Sequence, residues 1–372
     1  MSEGAESVAH ADAADVTTPN AVVALRCRGC TAQVHVGDRF CEACGCELGG
    51  RSIALPRQDA GAGAPTACTG CGGLRYDADG YCAACGQLRA APDRFDADLG
   101  AVAVATDRGI AHAHNEDSVA ASVVDGTTPW TPRAVLVTVC DGVSTSEDPQ
   151  AASGAGTRAG LAAGRSALAE GLPAQEAAMV GLAAAAQAVR EIGGTNGHAP
   201  SCTYVSAIVE RTPDATDITV ANVGDSRAYW LRGVVTTETD SRGNPPSQRL
   251  TVDDSWAQAL VDAGAMDEAA AMRDPKAHTL LRWLGADSAD TPWSDHCVRT
   301  IRVTGPGVLL LCTDGLWNYL SDADALAALA TTAAPEAAAR DLVEFALRCG
   351  GSDNITVALI PVPWTGSPGV AR

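Results

Sequence analysis

The sequence predicts an α+β fold in two parts: two small cysteine-built modules, then one large sandwich with its helices outside. Three observations predict it. Nine of the 14 cysteines lie between Cys27 and Cys85. From about residue 99, apolar strands alternate with longer Ala-rich helical stretches. Acidic residues recur where those elements end.

The chain has 372 residues, 46% of them hydrophobic, enough for two or three domains with a core that needs no staples. With 26 Lys+Arg against 45 Asp+Glu, the formal charge is −19. Such a chain repels a polyphosphate, which argues against a non-specific nucleic-acid binder. Residues 1–97 carry 8 basic and 12 acidic side chains and the remainder 18 and 33, so the acidity belongs to the second part. No apolar run approaches the ~20 residues of a membrane span. The first 20 residues lack the apolar segment of a signal peptide, so a cytoplasmic, reducing setting is expected. There, cysteines point to metal ligands or buried thiols before disulfides.

The cysteine spacing repeats without error. Cys27, Cys30, Cys41 and Cys44 form one C-x2-C-x10-C-x2-C unit, and Cys68, Cys71, Cys82 and Cys85 form a second, 41 residues on. A two-residue gap turns both thiolates onto one tetrahedral ion, and two such knuckles complete a structural zinc site. An all-thiolate site also accommodates iron. Gly45, Gly72 and Gly86 follow knuckle cysteines, where a tight turn favours positive φ. The intervening segments read as hairpins turning at Gly37-Asp38 and Asp79-Gly80. Cys46 is a spare thiol, and His35 is a ligand only if a cysteine fails. Each unit is too small to fold without its metal.

These boundaries follow: residues 1–24 a disordered acidic N-terminus, 25–50 the first ribbon, 51–66 a linker, 67–90 the second ribbon, 91–98 a linker, 99–362 the large domain, and 363–372 a tail. In the large domain, strands are expected at 101–106, 134–140, 202–210, 218–222, 227–231, 308–312 and 355–361. Helices are expected at about 150–170, 174–192, 322–333 and 335–349, with a short one near 253–263.

Five acidic motifs stand at the ends of these elements: His114-Asn115-Glu116-Asp117, Cys140-Asp141-Gly142, Gly224-Asp225-Ser226-Arg227, Thr313-Asp314-Gly315 and Gly351-Ser352-Asp353-Asn354. A single Asp-Gly is usually a turn. Several carboxylates on rigid strand ends make a hard, all-oxygen cation site.

In their order, and in the stretches TDRGIAHAHNEDS, VCDGVS, VANVGDSRAYWLR, LLLCTDGLW and SDNITVALI, these motifs resemble the metal-dependent protein phosphatases of the bacterial protein phosphatase 2C type. The resemblance covers residues 99–361. It implies a four-layer α-β-β-α sandwich and removal of phosphate from Ser and Thr of proteins by water activated between two Mn2+ or Mg2+ ions. Asp141 matches the bridging ligand, and Gly142 the adjacent carbonyl ligand. Asp314 and Asp353 match the carboxylates that complete one ion's shell, and Glu116 and Asp117 the pair serving the other. Asp225, with Asp314, matches the position of a weaker third ion. With two structural Zn2+ in the ribbons, the chain is expected to carry two metal classes. Cys140 and Cys312 are expected to be buried small residues rather than nucleophiles.

Two departures from the family pattern stand out. Its phosphate-holding Arg is replaced by His112, which offers one donor and a pH-dependent charge; Arg108, one turn upstream, is the other candidate. Val143 and Ser144-Thr145 stand where relatives carry other loop residues. In the stretch between residues 231 and 308, matching a flap in the family, Arg273, Lys276, His278 and Arg282 are candidates to position substrate, and Asp254 is a further carboxylate. The expected partners are phosphoproteins modified by Ser/Thr kinases, with the ribbons, used for targeting or regulation, meeting protein rather than nucleic acid or membrane. The competing reading is a degenerate phosphatase domain that binds phosphoproteins as an adaptor.

Overall fold

The computed structural model describes residues 25–26, 30, 32–34, 41–45, 50–56, 68, 71–75, 81–86, 93–126, 132–193, 198–233, 239, 241 and 244–362. The chain divides into two compact units, residues 1–48 and 49–372. The N-terminus 1–24, Cys27, His35, Cys46, the turns at Gly37-Asp38 and Asp79-Gly80, and the tail 363–372 lie outside the described residues.

In the first unit, β1 (Leu25–Arg26) pairs antiparallel with β2 (Gln33–Val34). Sγ of Cys30 lies 3.5 Å from that of Cys41, and with Cys44 the three offer a common metal position. In the second unit, Cys68, Cys71, Cys82 and Cys85 converge in the same way, with Sγ pairs at 3.4 Å and 3.6 Å. Gly45, Gly72 and Gly86 all have φ of 73°, as the knuckle turn predicts. Each donates its N–H to the carbonyl of the first cysteine of its knuckle, at 2.7–2.8 Å.

The rest of the second unit is a sandwich. In chain order come β3 (Gly50–Leu55), β4 (Phe95–Asp98), β5 (Ala103–Asp107), β6 (Ser118–Asp125) and β7 (Pro132–Cys140). Helices α1 (Pro149–Ala169) and α2 (Ala174–Ile192) follow, then β8 (Ser201–Cys202), β9 (Tyr204–Arg211), β10 (Thr216–Val223), β11 (Arg227–Leu231) and β12 (Gln248–Arg249). Next are α3 (Trp256–Asp262), α4 (Glu268–Ala271), β13 (Leu284–Gly285), β14 (Val298–Val303) and β15 (Gly307–Cys312). The chain closes with α5 (Asp314–Trp317), α6 (Ala323–Ala330), α7 (Pro335–Cys349) and β16 (Ile355–Val362).

Two six-stranded antiparallel sheets result, ordered β14-β10-β9-β7-β6-β3 and β12-β11-β15-β16-β5-β4. Alternation along each strand sorts the residues into layers. Val135, Val137 and Val139 of β7 meet Leu309 and Leu311 of β15 and Trp230 between the sheets. The opposite face of β7, with Ala134 and Leu136, packs on Leu161 and Leu168 of α1 and Ala177 of α2. The opposite face of β15, with Leu310 and Cys312, packs on Leu326 of α6 and Leu342 of α7. This is the expected α-β-β-α arrangement.

Two expected linkers are corrected. The first five residues of the 51–66 segment lie in β3, which pairs with β6 through Ile53↔Ala121 and Leu55↔Val119. Likewise β4 falls within the 91–98 segment and pairs with β5. Both are outer strands: β3 pairs with β6, far along the chain, whereas β4 is a short strand that folds back on the neighbouring β5. The sandwich therefore begins at Gly50, not at residue 99. β6 and β14 are further strands that the sequence reading did not identify.

Candidate active site

Antiparallel pairing gathers the five motifs at one end of the sandwich. Ser118 at the start of β6 lies opposite Cys140 at the end of β7, so Glu116-Asp117 and Asp141 become neighbours. Arg227 lies opposite Cys312, which brings the turn with Asp225 beside Asp314. Cys312 lies opposite Val357, and Asp353 enters from the start of β16.

Asp141, Asp225, Asp314 and Asp353 line a cleft of about 540 Å³. Asp117 lies beneath them, with no exposed surface, and accepts a hydrogen bond from Thr313 Oγ1 at 2.9 Å. Gly142 is hemmed in: a Cβ there would fall 2.6 Å from the Pro149 carbonyl and 2.7 Å from that of Glu116. Only glycine lets the loop pass.

The electrostatics are those of crowded like charges. Burial pushes the Asp141 carboxyl well above the usual range, and the charges of Asp117, Asp314, Asp353 and Asp225 push it further. Burial also raises Asp117, against hydrogen bonds from Thr356 and Thr313 that favour its charged form. Asp225 is raised by burial and then by Asp314 and Asp253. Asp314 moves to about 7, chiefly through burial and then Asp353. One oxygen of Asp117 and one of Asp314 are buried without a hydrogen-bond donor. Stranded carboxylate oxygens cost free energy unless a cation or proton meets them. The all-oxygen donor set thus fits a hard divalent cation such as Mg2+ or Mn2+.

A second layer of residues holds these carboxylates. Ser144 Oγ donates to Glu116 Oε2 at 2.6 Å, so the altered loop serves the site directly. Asn354 accepts the Glu116 N–H at 2.7 Å and donates to the Arg108 and His114 carbonyls at 2.7 Å and 3.0 Å. Arg227 is buried and bonds Asp253, with its closest contact at 2.6 Å, while lying 3.6 Å from the centre of the Trp317 ring. Trp317 Nε1 donates to the Asp225 carbonyl at 2.9 Å. Sequence reasoning missed these supports, although Asn354, Arg227 and Trp317 all stand inside the quoted motif stretches.

The candidate phosphate and flap residues separate. His112 Nε2 lies 3.2 Å from Asp353 Oδ1, whereas Arg108 donates to the Ala113 carbonyl at 3.3 Å. Arg282 pairs with buried Asp254 at 2.7 Å, so both are committed to anchoring the flap and neither acts as a free charge. Of Arg273, Lys276, His278 and Arg282, only His278 lines the cleft. Burial and the charge of Arg227 lower its imidazole's affinity for a proton. Cys140 and Cys312 are fully buried, and burial raises both thiols, as expected of core residues.

No protein-family model matches the sequence. Among curated proteins, the chain is 34% identical over 144 residues to the serine/threonine protein phosphatase PstP of Mycobacterium tuberculosis. That match covers 38% of this chain and 24% of the relative. It is 32% identical over 158 residues to the serine/threonine phosphatase stp of Listeria welshimeri, covering 42% and 55%. The chain therefore spans about half or less of the length of these relatives. Among solved structures, it resembles the PPM Ser-Thr phosphatase MsPP of Mycobacterium smegmatis, solved in complex with cacodylate. Identity is 27% and the TM-score 0.52, over 71% of this chain and 99% of that one. In sequence and fold this chain is similar to metal-dependent serine/threonine protein phosphatases. The chain also shares its fold with the S. agalactiae serine/threonine phosphatase, at 23% identity and a TM-score of 0.53, over 69% of this chain and 97% of that one.

Proposed function

We propose that the chain hydrolyses phosphoserine and phosphothreonine in proteins, using two Mn2+ or Mg2+ ions at the carboxylate cluster and a third ion near Asp225. The observation that carries this reading is the convergence of Asp117, Asp225, Asp314 and Asp353 around Asp141. The likeness to PstP, stp and MsPP supports the substrate class.

When bound, such paired ions activate water as the nucleophile and stabilise charge on the phosphoryl oxygens. Asp141 would bridge them, with the Gly142 carbonyl beside it. Asp314 and Asp353 would complete one shell, and Glu116 and Asp117 would serve the other, Ser144 and Asn354 keeping Glu116 in place. His112, with its ring nitrogen 3.2 Å from Asp353, would serve as the phosphate contact and offer one donor there. No protein nucleophile is required, which suits the burial of Cys140 and Cys312.

Two structural Zn2+ would be held by the cysteine clusters, of which three described ligands of the first and four of the second converge; the C-x2-C spacing makes Cys27 the expected fourth ligand of the first. The ribbons would then serve targeting or regulation through protein contacts. No described helix is long and apolar enough to cross a membrane. We place the phosphatase in the cytoplasm, acting on the products of Ser/Thr kinases. The adaptor alternative rests on His112 alone, and the complete carboxylate set weighs against it.

The deciding assay is hydrolysis of phospho-Ser and phospho-Thr peptides by the full chain with and without added Mn2+ or Mg2+. Activity should require the metal, and Asp141→Asn should lower it by about 100-fold or more, as loss of several kcal/mol of charge stabilisation implies. Full activity in that variant, or without metal, overturns the reading.

A further inference from the structure

His278 stands outside every motif that marked the site, on the segment between α4 and β13. That segment is fixed by backbone pairing. The Ala257 N–H donates to the Ala277 carbonyl at 3.2 Å, Trp256 to Thr279 at 2.9 Å, and Leu281 to Asp254 at 2.8 Å. The imidazole stacks on the Trp317 indole, with ring centres 5.8 Å apart and planes 23° from parallel. The same indole carries Arg227 against its ring and holds the Asp225 backbone through Nε1. His278 and Asp225 are thus positioned by one side chain.

A ring nitrogen of His278 and carboxylate oxygens of Asp225 and Asp314 all lie within 4.8 Å of one another. Octahedral coordination with bonds of ~2.1 Å separates neighbouring ligand atoms by roughly 3 Å and opposite ones by roughly 4.2 Å. The three donors therefore span one ion with little movement. We propose that His278 is a direct ligand of a divalent ion held by Asp225 and Asp314. It converts what the family resemblance implies as an all-oxygen third site into a mixed nitrogen–oxygen one.

The chemistry has two consequences. Imidazole suits Mn2+ and later first-row ions, whereas Mg2+ prefers oxygen and water, so this position should discriminate against Mg2+ while the centre at Asp141 does not. The ion would also tie the 277–281 segment to the strand ends, coupling the cleft wall to metal occupancy. This inference rests on the reading of the carboxylate cluster as a divalent-metal centre.

The test uses the full chain loaded with excess Mn2+ and read by electron spin-echo spectroscopy, which detects nitrogen bound directly to the ion. Wild type should show 14N modulation and a weakest class of Mn2+ sites. His278→Gln should lose that modulation and that class, and His278→Phe, which keeps a ring against Trp317, should lose both too. Asp225→Asn serves as the control for loss of the same ion. In Mg2+ titrations, wild type and His278→Phe should differ by less than about threefold. Mn2+ binding with 14N modulation that is absent in wild type, or survives both His278 variants at full depth, overturns the ligand assignment and leaves the phosphatase reading standing. Failure of the wild-type chain to bind Mn2+ overturns both.

Discussion

The side-chain oxygen of Asn354 accepts the backbone N–H of Glu116 at 2.7 Å, joining residues 238 positions apart. The amide nitrogen of Asn354 reaches the Arg108 and His114 carbonyls, so one buried side chain organises the whole 108–116 loop. Asn354→Ala should leave several backbone groups unpaired and cost about 2–3 kcal/mol of stability. With Glu116 less well aimed, Mn2+ affinity should fall about 10–100-fold. Denaturant melts and Mn2+ titration of the variant check the two parts separately.

Crowding of the carboxyls gives metal binding a definite pH dependence. In the metal-free fold Asp314 titrates at about 7, and Asp117, Asp141 and Asp225 lie well above the ordinary value of about 4. The folded chain then holds more protons than the unfolded one, so the contribution of these groups to stability is fully present below about pH 4. It is lost as pH rises through the folded values. Thermal melts from pH 5 to 8 should show the melting temperature of the Mn2+- and Mg2+-free protein falling, with a widening gap to the Mn2+-loaded form. Calorimetry in two buffers should find more protons released per Mn2+ at pH 6.5 than at pH 8.5. A gap that does not change with pH contradicts this account.

Arg227 and Asp253 form a buried pair with side chains 3% and 4% exposed. Removing the guanidinium strands a carboxylate and strips the contact from the Trp317 ring. Arg227→Ala should destabilise the fold by about 3–5 kcal/mol, measured by urea unfolding. Replacing both partners with apolar residues of similar volume should recover much of that loss, because the desolvation penalty disappears with the charges.

Of the exposed cations in the 273–282 stretch, Arg273 and Lys276 do not line the cleft. Each should become Ala with the KM for a phosphopeptide changed by less than about twofold, as for a surface charge in high dielectric. His112→Arg should lower the KM, since a guanidinium offers two parallel donors to phosphate where imidazole offers one. Steady-state kinetics on one phospho-Thr peptide decides all three variants.

In the second cysteine cluster, all four thiols converge. Cys68→Ser should reduce bound zinc by one ion per chain in elemental analysis, because a structural thiolate site does not tolerate loss of a ligand. An unchanged zinc content contradicts the assignment.

The amino-acid sequence alone determined the parts whose chemistry is local. Cysteine spacing marked the knuckles, because two residues set the reach between thiolates, and the positive φ of Gly45, Gly72 and Gly86 follows from the same turn. The bounds of α2, α7 and β11 were legible because Pro173 immediately precedes α2, Pro335 opens α7, and β11 is a short apolar run. The motif order named the carboxylates. Only the tertiary structure decided what depends on residues brought from afar. β3 is a strand because the distant β6 offers it a partner, not because its own residues insist on it. Arg282 was removed from the candidate cleft cations by Asp254, 28 positions away, while His278 was brought to Asp225 and Asp314 by the stack on Trp317. A side chain's charge and donors are written in its own residue. Which partner uses them is set by the packing of segments that the linear order keeps apart.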